Sequence, residues 1–88
     1  MLTLYSKPNC PACDMLKRRL SRQELEFDVV DVSTDEVAYS RIVSKGFRTV
    51  PVIALGNDFA SGSHLGDQKL IQIMQHAKEQ QDSNILRM

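Results

Sequence analysis

The stretch Leu2-Thr3-Leu4-Tyr5-Ser6-Lys7-Pro8-Asn9-Cys10-Pro11-Ala12-Cys13 holds both cysteines of the chain and sets what surrounds them. Residues 2–5 are apolar and β-favouring and predict a strand. Pro11 suits the first position of a helix, where its missing N–H is not needed and its φ is already helical. Cys10 then sits at the helix N-terminus, beside unpaired backbone N–H groups and the positive end of the macrodipole. Both features favour thiolate over thiol, which makes Cys10 more acidic than an ordinary cysteine. Cys13 follows one turn later, within reach of a small disulfide ring. The pair is expected to be redox-active.

Outward from that stretch, Met15, Leu16 and Leu20 recur at helical spacing, with Lys17, Arg18, Arg19 and Arg22 largely outside the apolar stripe. Residues 27–32 predict a second strand, and strand, helix and strand in so short a span make a right-handed parallel crossover. Ser33 and Glu36 stand at capping-box spacing for a second helix carrying Val37, Ala38, Ile42 and Val43, with Gly46 as its stop. Residues 51–55 predict a short apolar strand, Gly56-Asn57 a turn, and 58–60 the hairpin partner. A last helix is expected from residue 67 to about 80, with Leu70, Ile71, Met74 and Ala77 facing inward. Residues 81–88 are expected to form a flexible polar tail, from which Ile85 and Leu86 could dock on the surface. The order β-α-β-α-β-β-α predicts an α/β protein: a minimal thioredoxin-type fold with a four-stranded mixed sheet, one domain over residues 1–80.

Lys+Arg and Asp+Glu both total 11 among 88 residues, so the formal net charge is zero. That balance gives no reason to expect nucleic acid or an anionic membrane as the main partner. No apolar run approaches the about 20 residues of a membrane span. The first residues enter a strand and lack the regions of a signal peptide, so a cytoplasmic protein is expected, with a monomer as the default at this size. In that compartment a cysteine pair is more often catalytic than structural.

Zinc is the first rival for the cysteines. It usually takes four ligands, and the remaining soft donors, His64 and His76, do not stand at compact zinc-site spacing. A purely structural disulfide closing so short a loop would restrict the unfolded chain only modestly. No bound metal or cofactor is therefore expected. In the redox reading Cys10 is the exposed nucleophile and Cys13 the partly enclosed resolving thiol. Lys7 either adds to the thiolate preference or is a solvated surface residue.

Arg48-Thr49-Val50-Pro51 is the second constellation. Proline at a strand start sacrifices no needed N–H, and an X–Pro bond is where a cis peptide costs least. A cis Val50–Pro51 turn would aim the Val50 backbone at an extended peptide-like substrate, which could add as a short strand. The sequence leaves the isomer open.

Lys7-Pro8-Asn9-Cys10-Pro11-Ala12-Cys13, Thr49-Val50-Pro51 and Ser61-Gly62-Ser63, in this order, closely resemble the glutaredoxin family of the thioredoxin fold over residues 1–80. The resemblance implies glutathione-linked thiol–disulfide exchange with disulfide-containing proteins or glutathione mixed disulfides. It places glutathione contacts on Lys7, Thr49, Val50, Pro51, Gly62 and Ser63, with glutathione as reductant and co-substrate. Two departures stand out: Ala12 replaces a frequent tyrosine, and His64 occupies the place of the aspartate that holds the glutathione ammonium. The Ser-Gly loop is also similar to that of NrdH-type redoxins, which are reduced by thioredoxin reductase. Both subfamilies supply electrons to ribonucleotide reductase, and small variants of this length occur in bacteriophages. A third reading, a non-catalytic module binding an iron–sulfur cluster or a partner, is disfavoured by Pro11, since cluster-binding members typically have a small residue there. The basic run Lys17-Arg18-Arg19 with Arg22 is either a solvated face or a surface for an acidic partner.

Overall fold

Four of the five residues of β1 (Leu2–Ser6) are buried, as a strand flanked on both sides requires. The computed structural model describes residues 1–86, with side chains as far as Gln81. After β1 come α1 (Pro11–Arg22), β2 (Asp28–Asp31), α2 (Glu36–Ser44), β3 (Val52–Leu55), β4 (Asp58–Ser61) and α3 (Gln68–Leu86). The sheet order is β2-β1-β3-β4, with β1 parallel to β2 and antiparallel to β3, and β3 antiparallel to β4. The expected order and mixed four-stranded sheet are both present.

Strand alternation divides the core in two. Leu2 and Leu4 of β1 and Ile53 of β3 point into a larger cluster with Leu16 and Leu20 of α1 and Leu70, Ile73 and Met74 of α3. Tyr5, Val52 and Ala54 point the other way, onto Ala38 and Ile42 of α2. The short α2 therefore covers one sheet face, and α1 with α3 covers the other.

Helix ends follow local chemistry. Gly46 (φ 92) ends α2 as expected: its N–H donates to Val43 O at 2.9 Å, and the Phe47 N–H to Ile42 O at 3.0 Å. These are the two bonds of a Schellman cap. Glu24 (φ 58) does the same for α1, with Glu24 N–H on Ser21 O and Leu25 N–H on Leu20 O, both at 3.0 Å.

Several expectations need correction. Asp35, not Ser33, caps α2, accepting the Ala38 N–H at 3.0 Å. Ser33 is held instead by Asp31 Oδ1, which takes its N–H at 2.8 Å and its hydroxyl at 2.6 Å. Met15, Val37 and Val43 are exposed, at 55%, 71% and 41%. On α2 only Ala38 and Ile42, one turn apart, face the sheet, and a narrow sheet face leaves the flanking valines in solvent. Ile73 takes the inward position expected of Ile71, which is half-buried. Finally, α3 continues past residue 80 to Leu86. Gln81 anchors the extension: its Oε1 accepts the Glu26 N–H at 2.8 Å and its Nε2 donates to Glu26 O at 2.9 Å. The proposed docking of the Ile85 and Leu86 side chains lies outside the described residues.

Candidate functional site

Register brings the two sequence constellations to one end of the sheet. Tyr5 pairs with Val52, and Val52 with Ser61. One step further along each strand lie Ser6, Pro51 and Gly62, and the Gly62 N–H donates to Pro51 O at 2.9 Å. The chain leaves β1 through Lys7, Pro8 and Asn9, all exposed, with Asn9 in the left-handed region at φ 58. Asparagine tolerates that conformation better than most residues. The turn delivers Cys10 to the start of α1.

Cys10 is the N-cap of α1, and its Sγ accepts the Cys13 N–H at 3.1 Å. Its carbonyl accepts the Asp14 N–H at 3.1 Å. Cys10 and Cys13 form a disulfide, with Cα atoms 5.2 Å apart. Once the bond is reduced, the same N–H and the helix terminus lie where they stabilise a thiolate on Cys10. The exposure expected of Cys10 needs correction: it is 7% accessible in the oxidised state, against 0% for Cys13. The ring folds its sulfur back over the helix end. The order of accessibility still favours Cys10, which is followed by the exposed Pro11.

The Val50–Pro51 peptide is cis. Pro51 is fully buried, Val50 half-buried and Thr49 exposed. Gly62 is buried and Ser63 exposed, with the Ser63 N–H on Ser61 Oγ at 3.3 Å. Gly62 is needed for space rather than for its φ. A Cβ there would overlap Leu16 Cδ2 and come within 3.3 Å of Pro51 Cγ. Leu16, one turn beyond Cys13, was absent from the sequence-based site. Its signal is its place on the inward stripe of the helix that carries the cysteines.

The acid of the loop from β4 to α3 serves the helix that follows it. Asp67 Oδ1 accepts the Lys69 and Leu70 N–H groups at 2.8 and 3.2 Å, so this carboxylate caps α3. His64 is exposed. Among the described residues, no group of three or more His, Cys, Asp or Glu could hold a metal ion. A cleft of about 530 Å³ lies elsewhere, lined in part by Met1, Arg41, Lys45 and Phe59. No described helix is long and apolar enough to cross a membrane.

A cysteine pair on a helix N-terminus, at the sheet end that carries a cis-proline turn, is the geometry of thiol–disulfide exchange, and comparison with known proteins agrees. The family model for glutaredoxin matches residues 2–60. The chain belongs to the glutaredoxin family. Among its relatives is the glutaredoxin-like protein NrdH of Lactococcus lactis subsp. lactis, 40% identical over 60 residues, covering 68% of this chain and 82% of that protein. NrdH of Salmonella typhimurium is 33% identical over 61 residues, covering 69% and 75%. The NrdH-redoxin of Escherichia coli, described for a thioredoxin-like activity profile, superposes with a TM-score of 0.68 at 26% identity, covering 74% of this chain and 86% of that one. A buckwheat glutaredoxin–glutathione complex shares the fold, with a TM-score of 0.59 at 20% identity over 88% and 70% of the two chains. This glutaredoxin is thus a small thiol–disulfide oxidoreductase whose redox pair is Cys10–Cys13.

Proposed function

We propose that this glutaredoxin reduces protein disulfides in the cytoplasm and is itself refilled by a flavoprotein of the thioredoxin reductase type. In the reduced protein the Cys10 thiolate attacks one sulfur of a substrate disulfide. That S–S bond breaks, a mixed disulfide forms, and the departing sulfur takes up a proton. Cys13 then loses its proton and attacks Cys10 Sγ, releasing the second substrate thiol. Two electrons and two protons have passed to the substrate, and Cys10–Cys13 is oxidised. Two electrons from the reductase reopen the pair. The family resemblance makes ribonucleotide reductase the leading candidate substrate.

The observation that carries this choice of reductant is the β4–α3 loop. A γ-glutamyl ammonium needs a carboxylate there, yet His64 stands in its place and Asp67 is engaged by two backbone N–H groups. Likeness to NrdH proteins supports the same reading. The second reading, glutathione as reductant, is favoured by the meeting of Pro51 and Gly62 at one sheet end and by an exposed Lys7 and Thr49 nearby in the chain. It would employ Lys7, Thr49, Val50, Pro51, Gly62 and Ser63 as the binding residues. NADPH oxidation coupled to a disulfide substrate separates the two. Turnover is expected with thioredoxin reductase, and turnover only with glutathione and its reductase would overturn the choice.

A further inference from the structure

One face of α1 has no role in the exchange chemistry. Pro11, Met15, Arg18, Arg19 and Arg22 fall at i, i+4, i+7, i+8 and i+11, so they share one side of the helix. Met15, Arg18, Arg19 and Arg22, with Leu65 from the β4–α3 loop, line a groove of about 160 Å³. Leu65 also packs against the main core, so the groove has an apolar floor. Among the described residues none of the three arginines is paired with a carboxylate, whereas neighbouring Lys17 pairs with Asp14 at 3.9 Å. In a chain of zero net charge this is a local cluster of unpaired positive charge. The helix face that carries it starts at Pro11, next to Cys10 of the disulfide.

We propose that this face docks an acidic, partly apolar segment of the substrate protein next to the cysteine being attacked. The proposal rests on the protein-disulfide reductase reading above and names its substrate class. A helix rise of about 1.5 Å per residue puts Met15 about 7 Å, Arg18 about 12 Å and Arg22 about 18 Å along the axis from Cys10. An extended substrate chain covers about 3.3 Å per residue, so its apolar side chain falls two to three residues from the cysteine and its carboxylates about four to six. Arginine suits this task because its planar fork grips carboxylates in pairs. Single-stranded nucleic acid is less suited: no aromatic side chain lines the groove to stack a base.

Two peptide disulfides test the proposal, one with leucine three positions and glutamate four to six positions from its cysteine, the other with glutamine for glutamate. Pre-reduced protein is mixed with each, and with hydroxyethyl disulfide as an internal reference. The glutamate peptide is expected to react about tenfold faster than the glutamine peptide at about 20 mM salt, and about twofold faster or less at about 300 mM. In Arg18→Gln/Arg22→Gln the ratio should fall to near one, with rates normalised to hydroxyethyl disulfide. A ratio near one in the parent protein, or the same tenfold ratio in the variant, would overturn the proposal. So would an oligothymidylate of equal charge that binds the parent more tightly than the glutamate peptide does. Peptides with serine for cysteine, followed by fluorescence anisotropy, report docking without exchange. If hydroxyethyl disulfide does not react, the reductase reading fails, and these peptides still decide the groove: tighter binding of the glutamate form supports it, and equal binding overturns it.

Discussion

Gly62→Ala should be the most informative single change in this protein. The added methyl would overlap Leu16 Cδ2 and crowd Pro51 Cγ at 3.3 Å. Leu16 and Pro51 are both fully buried, so neither has free space to retreat into. Overpacking a filled core costs about 1–3 kcal/mol. For a domain of this size each kcal/mol moves Tm by about 4–8 °C, so a fall of about 5–20 °C is expected. Leu16→Ala removes the obstacle but empties a buried leucine site, at about 3–5 kcal/mol on its own. In the double variant the new methyl enters the vacated space, so the two losses should fall short of additivity by about 1–2 kcal/mol. Urea unfolding of the oxidised proteins, followed by circular dichroism, measures all three. Gly62→Ala within about 0.5 kcal/mol of the parent would refute the close approach. Additivity of the pair to within about 0.5 kcal/mol would refute the identity of the obstacle. Because Gly62 joins the helix of the cysteines to the Pro51 turn, exchange should also slow, by about tenfold or more, as expected when reacting groups are displaced.

Two further changes probe helix ends. Asp35→Ala should destabilise the protein by about 1 kcal/mol through loss of the α2 cap, while Ser33→Ala should cost less, a ranking that denaturation midpoints will reveal. Gln81→Ala removes both hydrogen bonds to Glu26, and loss of about 1 kcal/mol with faster amide exchange at Glu26 is expected.

The order of elements was legible because each carries a local signal. Pro11 starts α1, Gly46 stops α2, and Gly56-Asn57 turns the β3–β4 hairpin. The Cys10–Cys13 pair was legible for the same reason. What escaped depends on distant partners. Ser33 and Asp35 are both good capping residues, and Asp31 decides between them by holding Ser33. Gln81 looks like part of a polar tail until the Glu26 backbone, 55 residues away in sequence, is beside it. Met15 fits an apolar helical stripe, yet it lies on the arginine side of α1, because the inward side of that helix is taken by Cys13, Leu16 and Leu20. In the site, spacing pointed to Cys10 and Pro51 and the family resemblance to Gly62, but neither pointed to Leu16, whose part comes from its close approach to Gly62. Nor could spacing show that Asp67 is committed to capping α3.

The division of labour between the two cysteines is the central claim, and intact-mass analysis after reaction with a disulfide protein tests it most directly. Cys13→Ser, which keeps the attacking thiol and lacks the resolving one, should accumulate a mixed disulfide on Cys10. Cys10→Ser should accumulate none and turn over no substrate. A stable adduct on Cys13 in Cys10→Ser, or full exchange activity in that variant, would contradict the assignment of Cys10 as nucleophile.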